Sequence, residues 1–419
     1  MANTTRARAM LSDMRGIRGT LIGVGTATVL AVTGCSSTIA GTAQPDPSAA
    51  VRLDTGGYPT SPRLVSSRTE RDDRRVQSSY ELSAHLISPA EVDKSYDWLS
   101  NNARTPVFAS ITALTFQFGI SQAIALQSGG DTFVGGAISA RQTDAVGRTS
   151  DSTSGMSTIV LRYRTTDNAR KAADGLRNDP GAVGPQHALD NHPDAFTGPP
   201  ITTVALPTVW WVPVNDYLLG VGFTSSVPVG TAQQLAERWL ALQVPELAKI
   251  TVSATDMLGL PPDRDGIMSL TIDGTPTMPD GERPSVGYLT PRAYANSANG
   301  RWTSSMTKYE RAGVDLIGAA GSVVHRTRSA ADARYLLDQS NDASAEPQTE
   351  GGSAREAPPA GVKDASCTSF VTRATGDARK AYACSLARGR YFITTDAVST
   401  LTQAHQQAAA SYLMAKDAK

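Results

Sequence analysis

A thiol that follows small residues and an apolar run can accept a lipid, and Cys35 is placed that way, closing Leu30-Ala31-Val32-Thr33-Gly34-Cys35. Val32, Thr33 and Gly34 before it resemble a lipobox. In that motif small residues fit a peptidase cleft, and the cysteine sulfur becomes the thioether that carries diacylglycerol. The alternative is a free cysteine at the end of an ordinary signal or anchor helix. The flanking residues argue for the lipobox. Arg6, Arg8, Arg15 and Arg18 stand against one acid, Asp13, a basic segment that an anionic cytoplasmic leaflet retains. The uncharged stretch 21–32 follows; at ~1.5 Å per residue it falls short of a ~30 Å hydrocarbon core. Arg6-Ala7-Arg8 is not an adjacent arginine pair, so general secretion is expected rather than twin-arginine export. Residues 1–34 are therefore read as a lipoprotein signal peptide. The mature chain is expected on the extracytoplasmic face of the cell membrane, anchored by lipid on Cys35. Each buried methylene contributes ~0.8 kcal/mol, so two or three acyl chains hold firmly where one is marginal.

Two cysteines remain, Cys367 and Cys384. In an oxidising compartment they are expected to pair as a structural disulfide, contributing roughly 3 kcal/mol in the chain-entropy picture. A metal or redox pair is the alternative, but there is no CxxC and no nearby histidine.

Other chemistry is harder to find. Gly119-Ile120-Ser121-Gln122-Ala123 lacks the second glycine of a serine-hydrolase elbow and reads as helix. There is no P-loop and no H-E-x-x-H,. Gly129-Gly130 and Gly135-Gly136 do not make a dinucleotide fingerprint. His187 and His192 with Asp190 and Asp194 could chelate a metal such as Zn²⁺, but a solvated, hydrogen-bonded loop is the expected reading. His85, His325 and His405 are expected at the edge of the core. Asp263-Arg264-Asp265 and Asp280-Gly281-Glu282 offer too few oxygens in one loop for calcium. Trp210-Trp211 could stack a ligand; strand core on one side and rim on the other is the plainer account. No catalytic residue, metal or cofactor is assigned.

The positioning elements emerge along the chain. Four of the 39 basic and one of the 39 acidic residues precede Cys35, which leaves the mature chain at a formal −3 and argues against a nucleic-acid partner. Only 6% of residues are aromatic, which suits a modest core rather than a carbohydrate-stacking surface. Residues 35–75, Ser/Thr/Pro-rich and then charged, read as lipidated cysteine plus flexible tether, with an r.m.s. reach of ~35 Å for about 40 residues. Within the tether, residues 53–63 form a rigid turn segment whose Tyr58 is expected to dock on the first domain. An N-terminal domain, 76–250, and a C-terminal domain, 251–419, follow.

In the first domain, Ser88 should cap a short helix from Pro89. The apolar stretch 106–127 could be helix in part. A strand over 133–140 and another over 157–164 lead to a helix at 168–176, capped by Asp167, with Ala169, Ala172, Ala173 and Leu176 on one face. A hairpin follows over 209–213 and 216–223. A helix over 231–248 should bury Leu235, Trp239 and Leu242. The second half echoes this: strand 322–328, helix 331–337, exposed loop 340–366, strand 390–395, and helix 398–416 with Val398, Leu401, His405, Ala408 and Tyr412 on one stripe. The expected fold is α+β: two similar lobes built from a duplicated strand-helix-strand-strand-helix unit, either separate or sharing one sheet.

Several stretches together resemble a two-part family of actinobacterial, mycobacterial-type envelope lipoproteins whose domains have no known function. They are the lipobox, the Tyr58-Pro59-Thr60-Ser61-Pro62 segment, Pro89-Ala90-Glu91-Val92-Asp93, His192-Pro193-Asp194-Ala195, and Gly313-Val314-Asp315-Leu316-Ile317 ahead of Val323-Val324-His325-Arg326. Gly57 precedes Tyr58, where the family form has Asn. The resemblance implies a two-domain extracytoplasmic lipoprotein and supplies no catalytic residues. The expected function is a non-catalytic binding or scaffolding module of the cell envelope, partnered with the membrane through its lipid and with an envelope protein or lipid. The alternatives are a lipid or glycolipid carrier with a cleft between lobes, and a hydrolase with an unfamiliar site.

Overall fold

Two antiparallel sheets carry the chain, each with helices on both faces. The structure, a computed structural model, describes residues 52–66, 71–100, 107–110, 132–145, 153–179, 187–201, 206–274, 286–297, 300–345, 353–372 and 379–418. Residues 1–34, read above as a signal peptide and including Val32, Thr33 and Gly34, lie outside them, as do Cys35 and residues 119–123.

The first domain opens with α1 (Arg71–Ala84) and α2 (Pro89–Val92), then β1 (Trp98–Leu99), β2 (Val107–Phe108), β3 (Phe133–Gln142) and β4 (Gly155–Tyr163). Next come α3 (Thr166–Arg177), β5 (Phe196–Thr197), β6 (Thr208–Val214), β7 (Tyr217–Phe223), α4 (Val229–Leu247) and α5 (Ala254–Met257). The strand order is β1-β3-β4-β7-β6-β5, with β2 also on β3. Every residue of β4 is buried, because alternate side chains enter two different cores. Met156 and Val160 join Trp210, Trp239 and Ala236 under α4. Ile159, Leu161 and Tyr163 join Ala169, Ala172, Ala173 and Leu176 of α3.

This double cover corrects the reading of Trp210-Trp211 as core and rim. Both are fully buried, one in each core, because neither face of the sheet is left to solvent. Leu242, expected inside, is 41% exposed; α4 turns it away while Leu235 and Trp239 face the sheet. The cap of α3 is Thr165 rather than Asp167: its Oγ1 accepts the Asn168 amide at 3.2 Å. The part of 106–127 that is described contributes a strand, β2, pairing with β3.

The second domain runs β8 (Gly287–Leu289), α6 (Pro291–Ser297), α7 (Trp302–Ala312), β9 (Leu316–Ala319), β10 (Ser322–Arg326), α8 (Ala330–Ala345), β11 (Ser353–Glu356), β12 (Ala365–Thr372), β13 (Arg379–Arg388), β14 (Tyr391–Thr395) and α9 (Leu401–Met414). Its sheet order is β11-β12-β13-β14-β10-β9-β8. The two sheets are separate, but the path β9-β10-β14-β13-β12 repeats β3-β4-β7-β6-β5. The flanking helices repeat too. Ala333, Leu336 and Leu337 of α8 pack with Ile317, Ala387 and Phe392. Ala404 and Ala408 of α9 pack with Val324, Leu386 and Ile393 in another core. Helix α9 starts at Leu401, later than expected, because Val398 is taken into a bridge with Tyr382. Its buried stripe runs through Ala404, Gln407, Ala408 and Ser411, and His405 faces outward.

The stretch read as tether is structured where it is described. Helix α1 already begins at Arg71. Residues 52–66 lie on the second domain, and Tyr58 docks there, not on the first domain as expected. Its hydroxyl accepts from Gln403 at 3.1 Å and Gln407 at 3.3 Å. Residues 51–419 make one compact unit.

Candidate functional site

The charged and hydrogen-bonding side chains that converge do so where the first domain meets α6 and α7 of the second. Helix α1 prepares this seam. Its sequence has three Arg, three Ser and one Gln, yet Gln77, Ser78, Ser79 and Ser83 are buried. Gln77 pairs like a strand with the edge of the second sheet: Nε2 donates to the Tyr288 carbonyl at 2.9 Å, and Oε1 accepts its amide at 3.2 Å. Ser79 serves the first sheet, donating to the Phe108 carbonyl at 2.8 Å and accepting the Gly136 amide at 3.1 Å. A Cβ on Gly135 would stand 2.6 Å from Ser79 Oγ, so a glycine is needed where helix meets strand. Tyr80 enters a core of the second domain, and Leu82 enters one of the first.

Asp97 and Arg141 reach across from the first sheet. Asp97 is 2% exposed. Its Oδ1 accepts the Thr303 amide at 2.8 Å, and its Oδ2 accepts Thr303 Oγ1 and Arg301 Nε, each at 2.6 Å. Burial pushes this carboxyl up, but the bonds from Thr303 and Arg301 outweigh it and hold its pKa below the usual carboxylate range. Arg141 is fully buried. It donates to the Gly300 carbonyl at 3.0 Å and to the Ala295 carbonyl. Burial lowers its pKa to about 10, against the opposing attraction of Asp97.

A second charged group lies beside them. Ser88 starts α2 with Pro89 at its first position, as the sequence predicts, and Glu91 Oε2 accepts the Ser88 amide at 2.9 Å. Arg292 of α6 then joins two carboxylates, Glu91 at 2.8 Å and Glu246 at 3.5 Å. Glu246 also meets His85 at 3.2 Å and Lys249 at 2.5 Å. The two carboxyls shift in opposite directions. Burial raises Glu91 despite Arg292; for Glu246 burial is outweighed by the bonds from Lys249 and His85, and it is lowered. Opposed shifts are what an acid/base pair needs, but every oxygen of this pair already accepts a bond from the protein, so the group ties the domains together. A shallow groove of about 600 Å³ borders it, lined by Ala90–Lys94, Arg238, Trp302 and Thr303.

The other expected residues fall elsewhere. Cys367 and Cys384 form a disulfide and are directly opposed on β12 and β13. His192 approaches Glu237 at 3.8 Å, and His187 lies beside Trp210. Among the described residues no three His, Cys, Asp or Glu side chains are grouped to hold a metal. His325, expected at the core edge, is 3% exposed, enclosed by Tyr294, Tyr309 and Phe392 at 5.3–5.6 Å between ring centres. Burial pushes its pKa down to about 4, against a backbone bond at Phe392. Arg141, Asp97, Gln77 and Arg292 were not singled out from the sequence. The one local signal was an arginine near the end of the otherwise small and apolar strand β3.

Fold and seam define a two-domain α+β protein whose halves are joined by buried polar side chains. Residues 65–262 match the N-terminal part, and 267–417 the C-terminal part, of the domain of unknown function DUF7373, so the chain belongs to that family. Among curated proteins none matches it in sequence. Among solved structures, the crystal structure of the extracellular domain of PknH from Mycobacterium tuberculosis matches at 13% identity with a TM-score of 0.24. The match covers 41% of this chain and 97% of that one, a likeness too slight to inform fold or function. Among the described residues no helix is long and apolar enough to cross a membrane.

Proposed function

We propose that the chain is a lipid-anchored module on the extracytoplasmic face of the cell membrane that binds or scaffolds another envelope component without catalysing a reaction. The observation that carries this reading is the sequence Val32-Thr33-Gly34-Cys35 after a basic segment and a short apolar run. The Cys367–Cys384 disulfide suits the oxidising compartment this implies,. The non-catalytic part rests on how the titratable seam residues are used: Asp97 caps a helix, Glu91, Glu246 and Arg292 bind one another, and His325 is packed in aromatic rings.

The test is the mass of the N-terminal peptide of the full chain, made in a host with a related envelope. Cys35 carrying diacylglycerol, with the protein in the detergent phase, supports the anchor. Cys35→Ala should move the protein to the aqueous phase. An unmodified Cys35 in a membrane-free protein would overturn it. Cross-linking in intact cells then tests the scaffold: one envelope component should be recovered with the anchored chain and lost with C35A.

A further inference from the structure

The segment that leads from Cys35 to the folded body is fastened to the second domain at two places. At the first, Asp54 accepts the Gly56 amide at 3.0 Å and Gln406 Nε2 at 3.1 Å, while Tyr58 accepts from Gln403 and Gln407. Gly56 has φ +53°, a left-handed turn that glycine adopts without strain, and the turn lies against the Gln406 side chain. At the second place, Arg63 donates to the Thr271 carbonyl and hydroxyl, each at 3.0 Å, and pairs with Asp273 at 3.5 Å. Its amide bonds the Ser269 carbonyl at 2.9 Å. The chain therefore leaves the folded body beside α9, not beside α1 between the domains. About 17 residues separate Cys35 from Arg52, and whatever their conformation they span at most ~60 Å. Leu64, on the same segment, is 99% exposed, an apolar side chain that a lipid surface would cover.

We infer that the α9 side of the second domain faces the membrane, with residues 52–66 acting as the strap that sets this orientation. The inference rests on the lipid-anchor reading. The strap holds the second domain at the lipid and leaves the first domain, with the far part of the interdomain seam, directed toward the envelope.

The test uses the full lipidated chain in liposomes containing nitroxide-headgroup lipid. A fluorophore is placed through Thr402→Cys on α9 or Lys171→Cys on α3, both exposed positions. The Thr402 probe is expected to lose fluorescence to the nitroxide while the Lys171 probe keeps it. Tyr58→Phe with Arg63→Ala should release the strap and remove the difference. A protein that floats with the liposomes but shows equal or reversed quenching overturns the orientation alone. One that does not float overturns the anchor reading, and the orientation falls with it.

Discussion

Asp97 and Thr303 belong to different domains, yet the carboxylate of the first caps the helix that the second begins. Arg301, the residue at the cap position of α7, makes no side-chain cap bond. Asp97 supplies the acceptor instead, at 2.8 Å from the Thr303 amide, while its backbone carbonyl takes the Trp302 amide at 2.9 Å. The helix start is thus complete only when the domains are together.

Asp97→Ala should therefore destabilise the joined domains. A lost cap costs about 1 kcal/mol; because Thr303 is only part-buried and Arg301 is exposed, losing their bonds to the carboxylate raises the total to no more than about 2 kcal/mol. Urea unfolding of D97A should show a lower midpoint, and Asp97→Asn should recover part of it. An unchanged midpoint in D97A would remove the cap from the account.

Arg141→Met keeps the volume and removes the donors. The Ala295 carbonyl loses its bond from Arg141, at about 1–3 kcal/mol for a buried group left unmade, while the Gly300 carbonyl loses one bond and keeps that from the Leu99 amide. Hydrogen exchange should speed up first at the α6–α7 junction. Uniform exchange rates across the chain would argue against a local tie.

Two groups whose pKa values burial shifts, the enclosed His325 and the half-buried Asp396, set opposing pH dependences. The folded pKa of His325 is pushed down to about 4, so its contribution is whole above the unfolded value near 6.5 and is lost as pH falls toward 4. Burial raises Asp396 to about 6, so its contribution is whole below about 3.8 and is lost as pH rises through 6. The two nearly cancel between pH 6 and 4. Asp396→Asn should unmask the histidine, with about 3 kcal/mol lost relative to His325→Phe/Asp396→Asn on going from pH 7 to 4. Denaturant melts at four pH values read this, and parallel curves for the two variants would refute it.

Replacing Cys367 and Cys384 together by Ala opens a crosslink of sequence separation 17. The loss should be about 3 kcal/mol. Because both sulfurs sit in the core of Val324, Leu386 and Ile393, the thermal midpoint should fall even under non-reducing conditions. The same midpoint in wild type with and without reductant would show only that the buried bond is protected; the double variant decides.

Much of the duplicated unit was legible from local pattern. The alternation in 155–163, the alanine face of 166–177 and the paired apolar runs around Asn215-Asp216 report directly on strand, helix and hairpin, because burial of one face imposes periods of 2 or 3.6 residues. The Val32–Cys35 stretch is also a purely local pattern, of the kind a peptidase would read as linear sequence. The seam was not. Gln77, Ser79 and Ser83 have the composition of a solvated tether, and only the meeting of two sheets on α1 turns them into buried partners. Tyr58 offered an aromatic without an address, and Gln403 and Gln407 supply it from more than three hundred residues away. Thus the sequence by itself determined the elements and their repeat through short-range periodicity. Only the tertiary structure decided which polar side chains join the domains and where residues 52–66 dock, because those bonds link residues whose separation along the chain leaves no local pattern.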